Sequence, residues 1–256
     1  MIRLKTKEEI EVLREGGRRL ARVLEELREA VRPGVSTGDL DRLADRLIQE
    51  GGDSASFKGY KPRGASRPFP YALCASVNEE VVHGIPSETK ILREGDIIGL
   101  DLGVTHEGLI TDAAITVIVG HTDAKTTKLV RRTEEALQAG IESARAGNHI
   151  GDIGASIEEF ARPLGYGVVR ELAGHGVGYS VHEEPFVPNY GHRGKGEELM
   201  VGMVLALEPM FTLGKHQVNA LADGYTIVTK DGSRSAHFEH TIAITEDGPR
   251  VLTALD

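Results

Sequence analysis

Apolar residues keep helical spacing near the start of the chain, where Ile10, Leu13, Gly17, Leu20, Val23, Leu24 and Leu27 share one face. Thr6 and Glu9 form a Ser/Thr-x-x-Glu capping box, and Pro33-Gly34 breaks the pattern, so a helix is predicted from about Lys7 to Ala30. A second helix is predicted from Gly38 to about Glu50, with Leu40, Leu43, Ala44, Leu47 and Ile48 on one face and Gly51-Gly52 supplying the left-handed cap. A third spans Thr122 to Arg145 and carries Leu129, Val130, Ala136, Leu137 and Ile141. Residues 97–104 and 110–118 are dense in Ile, Leu and Val and predict strands, joined by the tight turn Thr105-His106-Glu107-Gly108.

The pattern occurs twice. Residues 31–52 align without gaps with residues 144–165, and Arg32/Arg145, Gly34/Gly147, Gly38/Gly151, Asp39/Asp152 and Gly52/Gly165 are identical. Asp39 and Asp152 fall at helix starts and are given no chemistry. The strands repeat as well: Gly95–Asp101 matches Gly202–Glu208, each an apolar run ending on an acid, and Asp112 and Glu239 each open a later β-like run. Helix pairs followed by strands predict an α+β fold, a curved and mostly antiparallel sheet with helices on one side and internal pseudo-two-fold symmetry. With no low-complexity connector, residues 1–256 are expected to form one catalytic domain, with pseudo-repeats at about 7–120 and 121–250.

The acids carry the chemistry. With His106 and Glu107 at the turn centre, residue n pairs with residue 213 − n, which sets Asp101 opposite Asp112 in a run apolar enough to be buried. Two buried carboxylates so placed need a cation or a shared proton; otherwise one turns to solvent beside Lys or Arg, although paired residues share a face. By the repeat, Glu208 and Glu239 take the equivalent places in the second half, and four carboxylates converging on one axis call for two divalent cations. Oxygen-rich ligation without thiolate suits Mn, Fe(II), Co or Zn. Two metals sharing carboxylates suit hydrolysis.

Three of the ten histidines stand out: His83 in VHGIP, His175 in GHGVG and His182 in VHEEP. A single histidine is more often structural, and His106, His121, His149, His192 and His216 lie in polar, turn-like contexts that suit the surface. His237 and His240 flank Glu239 and stay ambiguous. HEEPF is not HExxH, no GxSxG elbow exists, and GHRGK lacks the spacing of a phosphate loop.

NEEVVHGIP, GDIIGLDLG, TDAAIT, GHGVG, HEEP, LEPMF and FEHTI, in this order, resemble type I methionine aminopeptidases of the pita-bread superfamily. The likeness runs from the first helix to the last strand. It implies that Asp112 and Glu239 bridge two metals, that Asp101 chelates one, and that His175 and Glu208 complete the other. It implies a metal-activated water that attacks the first peptide bond, Glu208 as proton shuttle, and His83 and His182 as substrate histidines steadying the tetrahedral intermediate. Tyr60, Phe69, Cys74 and Tyr225 match positions lining the methionine pocket, or are ordinary core. Tyr225 stands where relatives often have tryptophan, Val181 where some have an aromatic residue, and the 59–70 segment looks longer; these departures bear on substrate tolerance, not on metal chemistry.

The implied activity is removal of the initiator methionine from nascent polypeptides, with small second residues preferred. An Xaa-Pro peptidase of the same fold is the nearest alternative, although the first helix begins too early for its usual N-terminal domain. A non-catalytic binding protein of this fold would typically have lost metal ligands, and all five are present. Thirty Lys and Arg against 39 Asp and Glu give a net charge of −9, so no direct nucleic-acid binding and no anionic-membrane surface is expected, and any ribosome contact would be local. One cysteine, no signal-peptide pattern and no long apolar run fit a cytoplasmic protein, and a monomer is expected.

Overall fold

The computed structural model describes residues 2–62 and 67–255. Residues 63–66, within the 59–70 segment singled out above, lie outside the described residues. Helix α1 (Lys7–Ala30) starts at the predicted capping box, in which the Thr6 side chain accepts from the Glu9 N–H and Glu9 returns the bond to the Thr6 N–H. Helix α2 (Thr37–Glu50) starts one residue before the expected position because Ser36 and Asp39 form a second capping box. The left-handed residue after α2 is Gly52, whereas Gly51 is right-handed. Helix α3 (Ala124–Ser143) is shorter than predicted, capped by the Asp123 carboxylate on the N–H groups of Lys125 and Thr126. In α4 (Ile150–Ala161), Asp152 accepts from the His149 N–H, so Asp39 and Asp152 both cap helices.

Among the described residues six strands form two three-stranded sheets, and the other nine build one sheet in which all pairings are antiparallel. Its order is Ser54–Ala55, Ile97–His106, Leu109–Ile118, Glu239–Thr245, Val204–Leu207, Ala173–Gly176 and Glu183–Pro188. Cys74–Val77 and Gly248–Val251 pair on the side with the 97–106 and 239–245 strands. The halves meet at the centre, where Glu239 pairs with Ala114 and His240 with Ala113. From that junction outward each half has the same sequence of parts: an inner strand bearing Asp112 or Glu239, then an outer strand bearing Asp101 or leading into Glu208.

Strand parity divides the molecule into a helix side and a site side. Ile98, Leu100, Leu102, Val104 and Ala113 pack with Leu20, Val23, Leu24, Leu27, Leu40, Ala44 and Ile48 of α1 and α2. Leu205, Leu207, Ile242 and Ile244 pack with Leu129, Leu137, Ile141, Ile153 and Ile157 of α3 and α4. Burial of these two aliphatic layers supplies the main driving force for the fold, at roughly 25 cal/mol per Å² of apolar surface.

The central hairpin corrects one expectation. Its pairing is Ile97 with Ile118 and His106 with Leu109, so residue n faces residue 215 − n. Glu107 and Gly108 form the turn, both with positive φ (48° and 82°), as a two-residue turn matched to strand twist requires. The turn was expected one residue earlier, because the chain must find a glycine for its second left-handed position. Asp101 therefore faces Ala114, and Asp112 faces Gly103. The shift of two preserves parity, so both acids remain on one face.

Helix α4 lies very close to the strand that follows Glu183. A Cβ on Gly154 would fall 2.4 Å from the Tyr190 carbonyl oxygen and 2.6 Å from that of Pro188. Replacing Gly154 by Ala is predicted to lower the unfolding free energy by about 1–3 kcal/mol, the usual cost of overpacking. Urea unfolding of the wild type and variant checks this, and a difference below about 0.5 kcal/mol, the range of neutral surface changes, would contradict the packing described.

Candidate metal centre

On the face away from the helices, Asp101, Asp112, His175, Glu208 and Glu239 line one cavity of about 280 Å³. Register explains the convergence. Asp101, Ala114 and Glu239 lie in one row across three strands, and Asp112 is two residues from Ala114. His175 faces Ala206, two residues before Glu208, and Ala206 faces Thr241, two residues after Glu239. All five side chains therefore project from the same side of the sheet. Ligand atoms of Asp112, His175 and Glu239 lie within 4.8 Å of one another.

The two inner acids are held by an arrangement that sequence reasoning missed. Ladder pairing between the 109–118 and 239–245 strands covers Ala113 with His240 and Ala114 with Glu239. Beyond it on one side, Thr241 Oγ1 accepts from the Asp112 N–H at 2.9 Å and donates to the Asp112 carbonyl at 2.7 Å. On the other, Thr116 Oγ1 accepts from the His237 N–H at 2.9 Å and donates to the His237 carbonyl at 2.7 Å. A threonine hydroxyl thus extends the ladder at both ends while the backbones diverge. The signal was present as the threonine in TDAAIT and in EHT, but only the register gives it meaning. Glu208 is held similarly, through its carbonyl, which accepts from Asn189 Nδ2 at 2.9 Å.

Burial sets the electrostatics. Asp101, Asp112 and Glu239 are at most 8% exposed. Desolvation pushes the Asp112 carboxyl up to about 7. Desolvation first, and neighbouring acids second, hold Asp101, Glu208 and Glu239 well above the usual carboxylate range. Asp101 Oδ1, Asp112 Oδ1 and Glu239 Oε1 have no hydrogen-bond partner among the described residues. Buried carboxylate oxygens without a donor, aimed into one cavity, fit the hard cation that such a donor set binds. Burial, then the neighbouring His182, lowers His175 to about 3, so the ring is neutral. Its Nδ1–H donates to the Gly176 carbonyl at 2.9 Å, leaving Nε2 as the electron-pair donor, 3.6 Å from Glu208 Oε1.

The remaining predicted residues line the same cavity. The His182 ring lies 4.3 Å from that of His175, tilted by 59°, and its Nδ1 shares a hydrogen bond with the Tyr60 hydroxyl at 2.8 Å. His83 adopts a left-handed backbone (φ 57°), followed by Gly84, whose Cβ would lie 2.4 Å from the Ala75 carbonyl oxygen. Burial lowers His83 to about 4, with His182 adding to the effect, and burial also lowers His182. Phe57, Phe69, Cys74, Val181 and Tyr225 form an apolar cluster at one end, with Tyr60 against it. Phe57 was not foreseen, because nothing in its local sequence distinguishes it from a core residue.

The ambiguous histidines separate. His237 is buried, with Nε2 3.8 Å from Glu208 Oε2 and 3.9 Å from Glu239 Oε2, whereas His240 Nδ1 bonds Thr253 Oγ1. His106 was expected at the surface, but its Nδ1 bonds Asp53 Oδ1 at 2.8 Å and its side chain is only 13% exposed.

The model of metallopeptidase family M24 matches residues 11–246. The chain belongs to this family. Among curated members, the methionine aminopeptidase of Clostridium acetobutylicum is 46% identical over 253 residues, covering 99% of both chains. Methionine aminopeptidase 1 of Bacillus subtilis is 45% identical over 253 residues, also covering 99% of both. The crystal structure of the methionine aminopeptidase from Thermotoga maritima superposes with a TM-score of 0.96 at 44% identity over the whole of both chains. A prolidase from Pyrococcus furiosus shares the fold, with a TM-score of 0.79 at 22% identity, covering 99% of this chain and 66% of its own. The family fold is the pita-bread fold expected from the motifs, and the family uses divalent metal.

Raised carboxyl pKa values have a definite sign in stability. An unfolded carboxyl titrates near about 4. Between that value and the higher folded one, the native state binds more protons, so stability falls as pH rises. Metal-free protein is predicted to lose melting temperature between pH 5 and 8, with a shallower loss in Asp112→Asn. Divalent metal should displace protons on binding, seen calorimetrically as an enthalpy that depends on the buffer. A loss no shallower in Asp112→Asn, or binding without proton release, would contradict the electrostatics.

Proposed function

We propose that the protein is a dinuclear-metal aminopeptidase that removes the initiator methionine from nascent polypeptides with small second residues. The observation that carries this reading is the set of orphaned carboxylate oxygens opposite His83 and His182, with an apolar slot at one end of the same cavity. The full-length likeness to curated methionine aminopeptidases supports it.

In this reading Asp101, Asp112, His175, Glu208 and Glu239 would hold two divalent metals, with Asp112 and Glu239 shared between them, Asp101 serving one, and His175 and Glu208 the other. The symmetry of inner and outer acids about the sheet centre favours that division. When bound, such a pair supplies a water made nucleophilic at neutral pH and polarises the scissile carbonyl; Mn, Fe(II), Co and Zn all suit the donors.

The protein's own groups do the rest. The cluster of Phe57, Phe69, Cys74, Val181 and Tyr225, with Tyr60 at its edge, receives an unbranched apolar side chain. His83 and His182 are neutral at physiological pH and have ring nitrogens for the scissile amide, so either can donate as negative charge develops on oxygen. Glu208 accepts a proton from the attacking water and passes it to the departing amine.

We further read residues 1–256 as one catalytic unit built from repeats at about 7–120 and 121–250. No helix among the described residues is long and apolar enough to cross a membrane. We assign the protein to the cytoplasm as a monomer meeting its substrates at the ribosome through local contacts, without direct nucleic-acid binding.

Three peptides beginning Met-Gly, Met-Leu and Ala-Pro, given to stripped protein refilled anaerobically with Mn, Fe(II), Co or Zn, test the reading. Release of methionine ahead of Gly but not Leu, abolished in Asp112→Asn, is the expected result. Cleavage only before proline would assign the protein to the Xaa-Pro peptidases of the same fold.

A further inference from the structure

The turn that carries Val181 and His182 has no regular ladder of its own, yet both side chains line the cavity. One carboxylate holds it. Glu183 Oε1 accepts from the Tyr179 N–H at 2.6 Å and the Ser180 N–H at 2.9 Å, fixing the backbone just before those two residues. The same carboxylate accepts from Lys5 Nζ through Oε2 at 2.7 Å. Lys5 and Glu183 side chains are only 2% and 7% exposed, so this is a desolvated ion pair with further hydrogen bonds, not a surface contact.

Lys5 is itself tied down at both ends. Its N–H donates to the Gly202 carbonyl at 2.7 Å, next to the strand leading to Glu208. Its methylene chain crosses Gly178, where a Cβ would fall 2.6 Å from Lys5 Cε; φ of +139° there also favours glycine. Gly178 in turn accepts from the Ile110 N–H at 2.7 Å, which links the turn to the strand bearing Asp112. Arg3, whose side chain is half exposed, also donates to Glu183 Oε1 at 3.2 Å; losing Lys5 leaves Oε2 without its buried cation, and the turn must move to rehydrate that oxygen.

We infer that the buried Lys5–Glu183 pair is a positioning device for the active site, holding the 179–182 turn so that His182 is aimed at the scissile amide. Lys5, which precedes the N-cap residue of helix α1, thereby acts on catalysis through His182. The inference rests on the role proposed for His182.

The test compares Lys5→Met, Lys5→Arg, His182→Ala and the Lys5→Met/His182→Ala double variant in metal-loaded protein on a Met-Gly peptide. Removing one transition-state donor typically costs about 10²–10³ in kcat, so misaiming it is expected to cost about tenfold. Lys5→Met should show that loss in kcat with KM and metal content near wild type, and Lys5→Arg should restore most of it. In the His182→Ala background the Lys5→Met change should cost nothing more, because the two act through one group. An equal loss in both backgrounds, or a lower melting temperature with unchanged kcat, would overturn the inference. Should Lys5→Met fail to fold, Glu183→Gln in the same two backgrounds gives the same discrimination. Failure of the wild type to release methionine would instead strike the proposed function, which keeps the two outcomes apart.

Discussion

Acids placed together on one face of a sheet, away from water, are costly unless something neutralises them. Asp101, Asp112, Glu208 and Glu239 are in that position, and much of the surrounding structure keeps them there. The helices take the opposite face, so the aliphatic layers that stabilise the sheet never compete with the acids for space. At the sheet centre the 109–118 and 239–245 strands pair through two residue pairs, and threonine hydroxyls replace the ladder where the backbones diverge. That divergence opens the cavity, while the hydroxyl bridges keep Asp112 and His237 at fixed backbone positions. A cation repays the desolvation of the carboxylates only when their oxygens are already close, and the register ensures this before any metal arrives.

The ends of the cavity differ in chemistry. At one end lie carboxylates and a neutral His175, suited to divalent metal. At the other, aromatic and aliphatic side chains surround a space without charge. His83 and His182 line the same cavity, and desolvation lowers both, so neither brings a positive charge that would repel divalent metal. A peptide amine near the carboxylates, its first side chain in the apolar end and its scissile carbonyl near the histidines would use all three parts at once.

Much of this was legible in the chain. Thr6 with Glu9 marked the start of α1 because a capping box is a purely local device. The acids Asp101, Asp112, Glu208 and Glu239 were found because each ends or opens an apolar run and the runs repeat. Face assignment survived a wrong turn centre, since an error of two residues leaves strand parity intact. What escaped notice depends on contacts between distant parts of the chain. Thr116 and Thr241 look like ordinary strand residues until the register places each across from a backbone that has separated. Lys5 looks like a solvated charge before a helix until Glu183, far along the chain, meets it. His106 reads as a turn residue because its partner, Asp53, follows a different helix. The glycine needed at the second turn position moved the hairpin centre by one residue, a choice that hydrophobic pattern alone does not make.

The central claim, that the converging acids exist to hold a pair of divalent cations, is tested most directly by anomalous diffraction at the manganese edge from crystals grown with Mn(II). The account predicts two peaks, one bounded by Asp101, Asp112 and Glu239 and the other by Asp112, His175, Glu208 and Glu239. A map without a peak in this cavity, under conditions where manganese binds elsewhere on the protein, would contradict it.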